Sequence, residues 1–547
     1  MNRIYRAILL PLIGLVLSCA IHAADSEQLV QEAWKSWAKN DQAAVEAKFR
    51  EAIAKDPGNH RAYVGLAYLY GLQGKEADAW ETFKHILETA DNPYPYLFSA
   101  WSMVRQMHNQ DRIEPDVVGF WEKLAEKADE GGVLRAMANQ FLGGYFEKRG
   151  ALEKSHQYYR AINAIDQWML SGPYDNISAS GFDKVFPPER EYKPGKVYEG
   201  QNGVPAKWFP IAGVRADYWI DFQRYFAQSD AVFYGNNFIY APQDLAVQIR
   251  IGTSGSLKAF LNDELMIEYF DENNNDLDTY IVETELKKGW NRLLIKVGFS
   301  EIDRANFMVR ITDAQGDPVD GLQISTAPQS YPVKPGNSFR AIPNFAERFF
   351  QQQIEAQPDH LENYALLADC YLRNDKAIEG ELVLRDALKL SPNCALFHYR
   401  LIEAYSRGEK YDEIATTWER LHNLDPQIPE VLTYRFYRFV ENEQMEEAEA
   451  ALNRLGELRP ESREWFAAAL NFYSQKRQVE KIIEISRQAY EKYPDSWDFA
   501  YMEATIAIQT TRSYQRAIEI YQDQLQKNYD ATILATLAEA YLQDSFF

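Results

Sequence analysis

The chain has 547 residues, with 46% hydrophobic, 25% charged and 14% aromatic residues, which excludes a disordered, collagen-like or low-complexity protein. At about 150 residues per domain it holds roughly three to four domains, or fewer if part of it is a repeat array. Lys and Arg total 58 against 80 Asp and Glu, a net charge of -22, and that excess repels phosphate backbones and excludes nucleic acid as a partner.

Residues 1–23 read as a signal peptide: Arg3 and Arg6 precede the apolar run Ala7 to Ile21, and Ile21-His22-Ala23 offers a small-residue cleavage site. The run is interrupted by Pro11 and falls short of the roughly 20 residues that cross a bilayer, so the mature chain is expected to carry no transmembrane segment and to be periplasmic or secreted. Val16-Leu17-Ser18-Cys19 loosely resembles a bacterial lipobox, and the alternative it implies is a lipid anchor at Cys19 in the bacterial envelope.

Residues 24–167 carry helical periodicity. Tyr63, Leu66, Ala67 and Tyr70 share one helical face, followed by Gly74, Ala79 and Phe83. Ala33, Phe49, Ala52 and Pro57 fall in the same phase one unit earlier, and a further hairpin runs through Leu142, Gly143, Phe146, Gly150, Tyr159 and Ile162. Pro93 to Asp129 is expected to be helical, without a fixed register.

From about Trp168 to Pro332 alternation replaces the helical period. Leu245, Val247, Ile249 and Ile251 fall on one face of a strand, and similar runs occur at Lys258 to Leu261, Leu265 to Tyr269, Thr279 to Thr284, Arg292 to Val297 and Asn306 to Thr312. Short strands separated by Asn-Asp, Lys-Gly and Gly-Asp turns predict an antiparallel sandwich. Ile251-Gly252-Thr253-Ser254-Gly255, Phe260-Leu261-Asn262-Asp263 and Gly289-Trp290-Asn291 together resemble the galactose-binding-like jelly rolls of bacterial exported proteins. That resemblance implies a fold more firmly than a sugar. Glycan binding would need exposed aromatics among Trp208, Trp219, Tyr234, Tyr240 and Tyr269, which in β domains are more often core. Upstream, Gly172-Pro173-Tyr174-Asp175-Asn176 and Gly181-Phe182-Asp183-Lys184-Val185-Phe186-Pro187-Pro188-Glu189 resemble an entry segment of exported proteins that join tetratricopeptide repeats, a jelly roll and a transglutaminase-like domain. This implies a second reading, the targeting part of a longer enzyme, although no hydrolase signature is present.

In residues 341–547, Pro358, Pro392, Pro426, Pro460 and Pro494 recur every 34 residues and Asn528 continues the count. With the proline at position 32 of each unit, the same apolar slots refill: Tyr364, Leu367, Ala368 and Tyr371, then Leu384 and Ala387; later units place Leu401, Trp418, Phe436, Ala448, Phe466 and Ala489 there. Such slots lie on two helices packed face to face. Period, small residues and proline together resemble the tetratricopeptide repeat, a helical hairpin stacked into a solenoid. Gly380 and Ile414 at position 20, with Leu421 and Leu455 at position 27, mark the repeats as divergent. Leu534, Leu537, Ala538 and Tyr541 fill the first helix of a further unit whose partner would lie past Phe547, so a truncated or split product is expected, the alternative being that this helix caps the array. The fold class is therefore mostly α, helical-hairpin solenoids around an inserted all-β antiparallel sandwich.

No catalytic constellation is visible. The three cysteines form no Cys-x-x-Cys pair, and Cys370 and Cys394 on repeat helices read as buried free thiols. Asp271 to Asp278 is rich in oxygen, but Asp276 and Val282 stand where a calcium loop needs glycine and glutamate, so it reads as a hairpin loop. No cofactor, metal or enzyme activity is expected. In tetratricopeptide proteins ligands meet positions 2, 5, 6, 9, 12 and 13 of the concave face. The resemblance thus implies a groove for a protein or peptide partner made by Asp369, Arg373, Tyr399, Arg400, Glu403, Tyr434, Tyr437, Asn471, Tyr501 and Thr505, with tyrosine and arginine as anchors.

Overall fold

A computed structural model describes residues 23–39, 41–101, 114–127, 130–213 and 215–545. Residues 1–22, on which the expected signal peptide and Cys19 fall, lie outside the described residues.

Among the described residues eight helices precede the sheet: α1 (23–37), α2 (Gln42–Lys55), α3 (His60–Leu72), α4 (Glu76–Thr89), α5 (Tyr94–Ser99), α6 (Glu114–Glu126), α7 (Val133–Lys148) and α8 (Leu152–Ala161). Twelve follow it: α9 (Phe345–Ala356), α10 (Leu361–Arg373), α11 (Ala377–Leu390), α12 (Ala395–Arg407), α13 (Tyr411–Leu424), α14 (Pro429–Glu441), α15 (Met445–Leu458), α16 (Arg463–Gln475), α17 (Val479–Lys492), α18 (Trp497–Thr511), α19 (Gln515–Lys527) and α20 (Ala531–Asp544). The prolines close the second helix of each hairpin as expected: α11, α13, α15 and α17 each end two residues before one. Within the hairpins the reversal is made by one residue in the left-handed region, Asp375, Glu409, Glu443 and Arg477 at φ +56°, +55°, +59° and +53°, again 34 residues apart. The N-terminal hairpins put Gly74 and Gly150 at this turn, at φ +66° and +68°, the residue for which that conformation carries no steric cost. Close helix approach is bought by small residues: a side chain at Gly143 would overlap the Tyr159 ring, and one at Gly65 the Phe49 ring.

Between the helices, eleven strands form a continuous antiparallel sheet folded into a sandwich: β1 (Met169–Asp175), β4 (Phe209–Pro210), β5 (Ile220–Asp221), β6 (Ala231–Ala241), β7 (Leu245–Leu261), β8 (Glu264–Asn274), β9 (Tyr280–Leu286), β10 (Gly289–Phe299), β11 (Asn306–Thr312), β12 (Gln323–Ser325) and β13 (Arg340–Ile342). A separate ribbon pairs β2 (Val197–Glu199) with β3 (Pro205–Lys207). The expected strands at 245–251 and 258–261 are one 17-residue strand. Its first half lies between β9 and β11, and its second between β8 and β10, so β7 belongs to both layers. Gly255 at φ +115° sits at the change of partners, where a side chain would run into the Gly298 carbonyl. Val247, Ile249, Ile251, Leu257, Ala259 and Leu261 keep one alternation through the bend and face the same core as Phe233, Leu293 and Val309. β13 pairs with β9, so the sheet draws in residues beyond the boundary expected at 332.

The two helical arrays also pack on each other. Trp34 stacks on Phe397, centroids 6.0 Å apart and rings 2° from parallel, and one buried cluster joins Val30, Phe49 and Leu69 to Leu361, Leu384 and Leu401. Arg61 pairs with the buried Glu362, and Ser99 donates to the Leu366 carbonyl at 3.1 Å. Hairpin turns of the first array meet inter-repeat turns of the second in matching phase: Gln42 with Asp425, Glu76 with Arg459 at 3.3 Å, and the Lys148 carbonyl with the Tyr529 amide. No described helix is long and apolar enough to cross a membrane.

Candidate partner-binding channel

The first helix of each C-terminal hairpin, α10, α12, α14, α16 and α18, carries the predicted groove positions. The structure divides them. Asp369, Arg373 and Arg400 line the cleft at the inner end, where they are also engaged by the N-terminal array and the sandwich. Asp369 accepts from the Tyr68 hydroxyl at 2.9 Å and pairs with Arg400 at 3.3 Å, whose guanidinium lies 5.5 Å from the Tyr68 ring centroid. Arg373 has only 5% of its side chain exposed. It is held between Phe98 and Trp101, at 4.7 and 4.9 Å from their centroids, and bonds Asp276 at 2.8 Å. These residues fasten the arrays and the sheet together.

Farther along, a wall of aromatic rings remains open. Tyr434 stacks on Trp418 at 5.0 Å and 12°, Tyr399 meets Trp418 edge-on at 6.3 Å, and Tyr437 is 38% exposed beside Phe436. Trp418 belongs to the second helix of its hairpin, where its repeat position marks it as core. The wall borders a groove of about 620 Å³ that also takes in Glu403, Glu430, Arg438 and Glu464. Through Tyr399, Arg400, Glu403 and Glu430 it continues into a cleft of about 440 Å³ between the arrays, lined on the other side by Val64, Gly71 and Glu76. Asn471 presents a buried Oδ1 without a hydrogen-bond partner. Tyr501, half exposed, packs with Trp497 and Tyr521, while the Thr505 hydroxyl donates to the Tyr501 carbonyl at 2.8 Å and is turned into its own helix.

Glu430 lines both groove and cleft, and a guanidinium lies beside it. Arg459 faces Glu76, Glu430 and Glu464 at 3.3, 3.6 and 3.4 Å. Burial, with the like charges of Glu464 and Glu76 added, pushes the Glu430 carboxyl up to about 7, against the pull of Arg459. Glu430 and Glu464 occupy position 2 of their repeats, as does Glu362, and this acidic recurrence at 34-residue spacing is the sequence signal that a search for aromatic and arginine anchors passes over.

Elsewhere, the oxygen-rich segment is an attachment point. Asp276 takes Arg373, Asp278 takes Arg250 at 3.1 Å and also Arg310, and the Asn274 amide donates to Asp375 at 2.7 Å. Among the described residues no three His, Cys, Asp or Glu converge as metal ligands. Cys370 and Cys394 are buried free thiols, and burial pushes the Cys394 thiol up to about 12, so neither offers a thiolate at neutral pH. Of the aromatics considered for sugar stacking, Trp208 and Tyr234 are buried, and Tyr269 is stacked on Tyr280 at 4.2 Å.

No family model matches the chain, and no curated protein does. Among solved structures, YrrB, a TPR protein with an unusual peptide-binding site, is similar at 16% identity over 35% of this chain and 97% of its own, with a TM-score of 0.27. PilF of Pseudomonas aeruginosa is similar at 18% identity over 34% of this chain and 87% of its own, with a TM-score of 0.28. A tetratricopeptide repeat protein of Parabacteroides merdae is similar at 16% identity over 36% of this chain and 78% of its own, with a TM-score of 0.29. In the C-terminal half the chain's own geometry repeats a helical hairpin every 34 residues, with a proline after α9, α11, α13, α15 and α17, which is the fold of the tetratricopeptide hairpin, and a β-sandwich separates it in sequence from the N-terminal helices.

Proposed function

We propose that this protein is an exported, non-catalytic scaffold that holds an extended segment of a protein partner in the channel along its C-terminal array. The observation that carries the reading is the row Tyr399, Trp418, Tyr434 and Tyr437, left open beside a groove that runs on into the cleft between the arrays. Aromatic rings with polar tips give broad contact at low entropic cost, the property of residues that anchor interfaces. The fastened residues Asp369, Arg373 and Arg400 make the inner end rigid, so the partner meets a preorganised surface.

The test is selection of binders from a displayed library of random peptides against the full chain, followed by Tyr434→Ala and Tyr437→Ala together. Loss of the selected peptides with unchanged helicity supports the reading. Peptides retained by the double variant remove the groove from it. Export is tested separately by fractionating a tagged chain and sequencing its N-terminus, which should begin at Ala24. A mature form that keeps the apolar run overturns the cleavage, and one that begins at a lipid-bearing Cys19 assigns the anchored alternative.

A further inference from the structure

Resting on that reading, we infer that the partner segment inserts a basic side chain, lysine or arginine, between Glu430 and Glu464 at the junction of groove and cleft. Both carboxylates line the groove; the Oε2 of Glu430 is sealed from solvent without a hydrogen-bond partner, and the Oε2 of Glu464, likewise sealed, faces Arg459 at 3.4 Å. Arg459 is shared among three carboxylates, so one guanidinium faces more acceptor oxygens and more negative charge than it can satisfy. Of the cations lining the groove, Arg400 faces Asp369 at 3.3 Å and the Tyr68 ring, and Arg438 pairs with Glu441 at 3.1 Å.

A second, independent observation fixes the chemistry of the occupant. Glu362 stands at the same repeat position as Glu430 and Glu464, two repeats before the first of them, and there the protein supplies its own answer: Arg61 of the N-terminal array reaches across and pairs with it. The N-terminal array thus gives the first acidic slot a guanidinium of its own, whereas the later two share the single guanidinium of Arg459. The Tyr399, Trp418 and Tyr437 rings line the same groove, adding aromatic faces that attract a cation. An acidic or purely apolar segment would cover both carboxylates, 30% and 40% exposed in the free protein, and leave them only the Arg459 guanidinium that they share, which is the costly arrangement.

Two measurements on the full chain decide this. Peptides selected from a displayed random library should be enriched in lysine or arginine, and Glu430→Gln with Glu464→Gln, which preserves shape, should weaken them roughly tenfold or more. Replacing the selected basic residue by glutamine should cost the wild type the same factor and the double variant almost nothing. Binders without basic enrichment, or basic binders indifferent to the two glutamines yet lost on Tyr434→Ala and Tyr437→Ala, would overturn the inference and leave the groove reading standing. Absence of binders, or binders indifferent to the tyrosines as well, would overturn both. Circular dichroism of each variant confirms that the fold persists.

Discussion

The guanidinium of Arg459 lies 3.3 Å from the carboxylate of Glu76, 383 residues away along the chain. One repeat earlier the same pairing of turns brings Gln42 to Asp425. That step is 34 residues in both arrays, so over this stretch the two solenoids stay in register and touch turn to turn. Arg459 is the best connected of these contacts and only 12% of its side chain is exposed. Arg459→Ala would leave Glu76, Glu430 and Glu464 facing one another, a loss expected to cost about 3 kcal/mol in urea denaturation. Arg459→Lys should recover part of it, since the charge remains and the planar fork does not.

The inner end of the clasp is apolar. Trp34 stacks on Trp37 at 5.1 Å as well as on Phe397, and its side chain is buried. Trp34→Ala removes one of the largest contacts that α1 makes with the C-terminal array and should destabilise the protein by roughly 3–5 kcal/mol. Because the contact joins arrays and not helices of one hairpin, helicity by circular dichroism should fall little while small-angle scattering shows a larger radius. A radius equal to that of the wild type would show that the polar turn contacts hold the arrays without it.

Glu430 gives the molecule a predictable pH dependence. Its carboxyl is raised in the folded protein by burial and by Glu464 and Glu76, so the folded state binds more protons than the unfolded state between about pH 4 and 7. Stability from this group is therefore present in acid and is lost as pH rises through 7. Tyr399 and Arg459 are the other titratable or charged groups beside it. Glu430→Gln should match the wild type near pH 5 and melt higher near pH 8, by a margin on the order of 1 kcal/mol after allowance for its partial exposure. Melting curves at the two pH values check this, and parallel shifts in both proteins would exclude Glu430 as the source.

Much of the helical part was legible because the repeat writes one feature many times: prolines after the second helix and small or apolar residues at the contact faces. The mutual packing of the arrays was hidden, since its polar contacts use Arg61, Glu76, Glu362 and Arg459, residue types that in a single repeat look like solvated surface. For the same reason the fastening contacts of Asp369, Arg373 and Arg400, which line the cleft, were hidden. In the sheet, β6 escaped notice because Asn236 and Asn237 sit buried in its middle and break the alternation; Asn236 is there to accept from the buried Arg292 at 2.7 Å. The fused strand β7 read as two because Gly252 to Gly255 carries the punctuation of a turn.

The hairpin turns offer a gain in stability. Glu443 holds φ +59° at the reversal between α14 and α15, and its side chain is exposed. A non-glycine residue costs roughly 1–2 kcal/mol in this region, and the N-terminal array avoids the cost by using Gly74 and Gly150 at the equivalent turn. Glycine loses more unfolded-state freedom on folding, which offsets part of the gain. Glu443→Gly should therefore stabilise the protein by about 0.5–1 kcal/mol, read as a higher urea midpoint with an unchanged slope. The same change at Asp375 should gain less or lose, because its carboxylate accepts from the Asn274 amide and pairs with Arg407 at 3.1 Å. Equal effects at the two positions would show that relief of backbone strain alone sets the outcome and that the Asp375 contacts to the sheet contribute nothing.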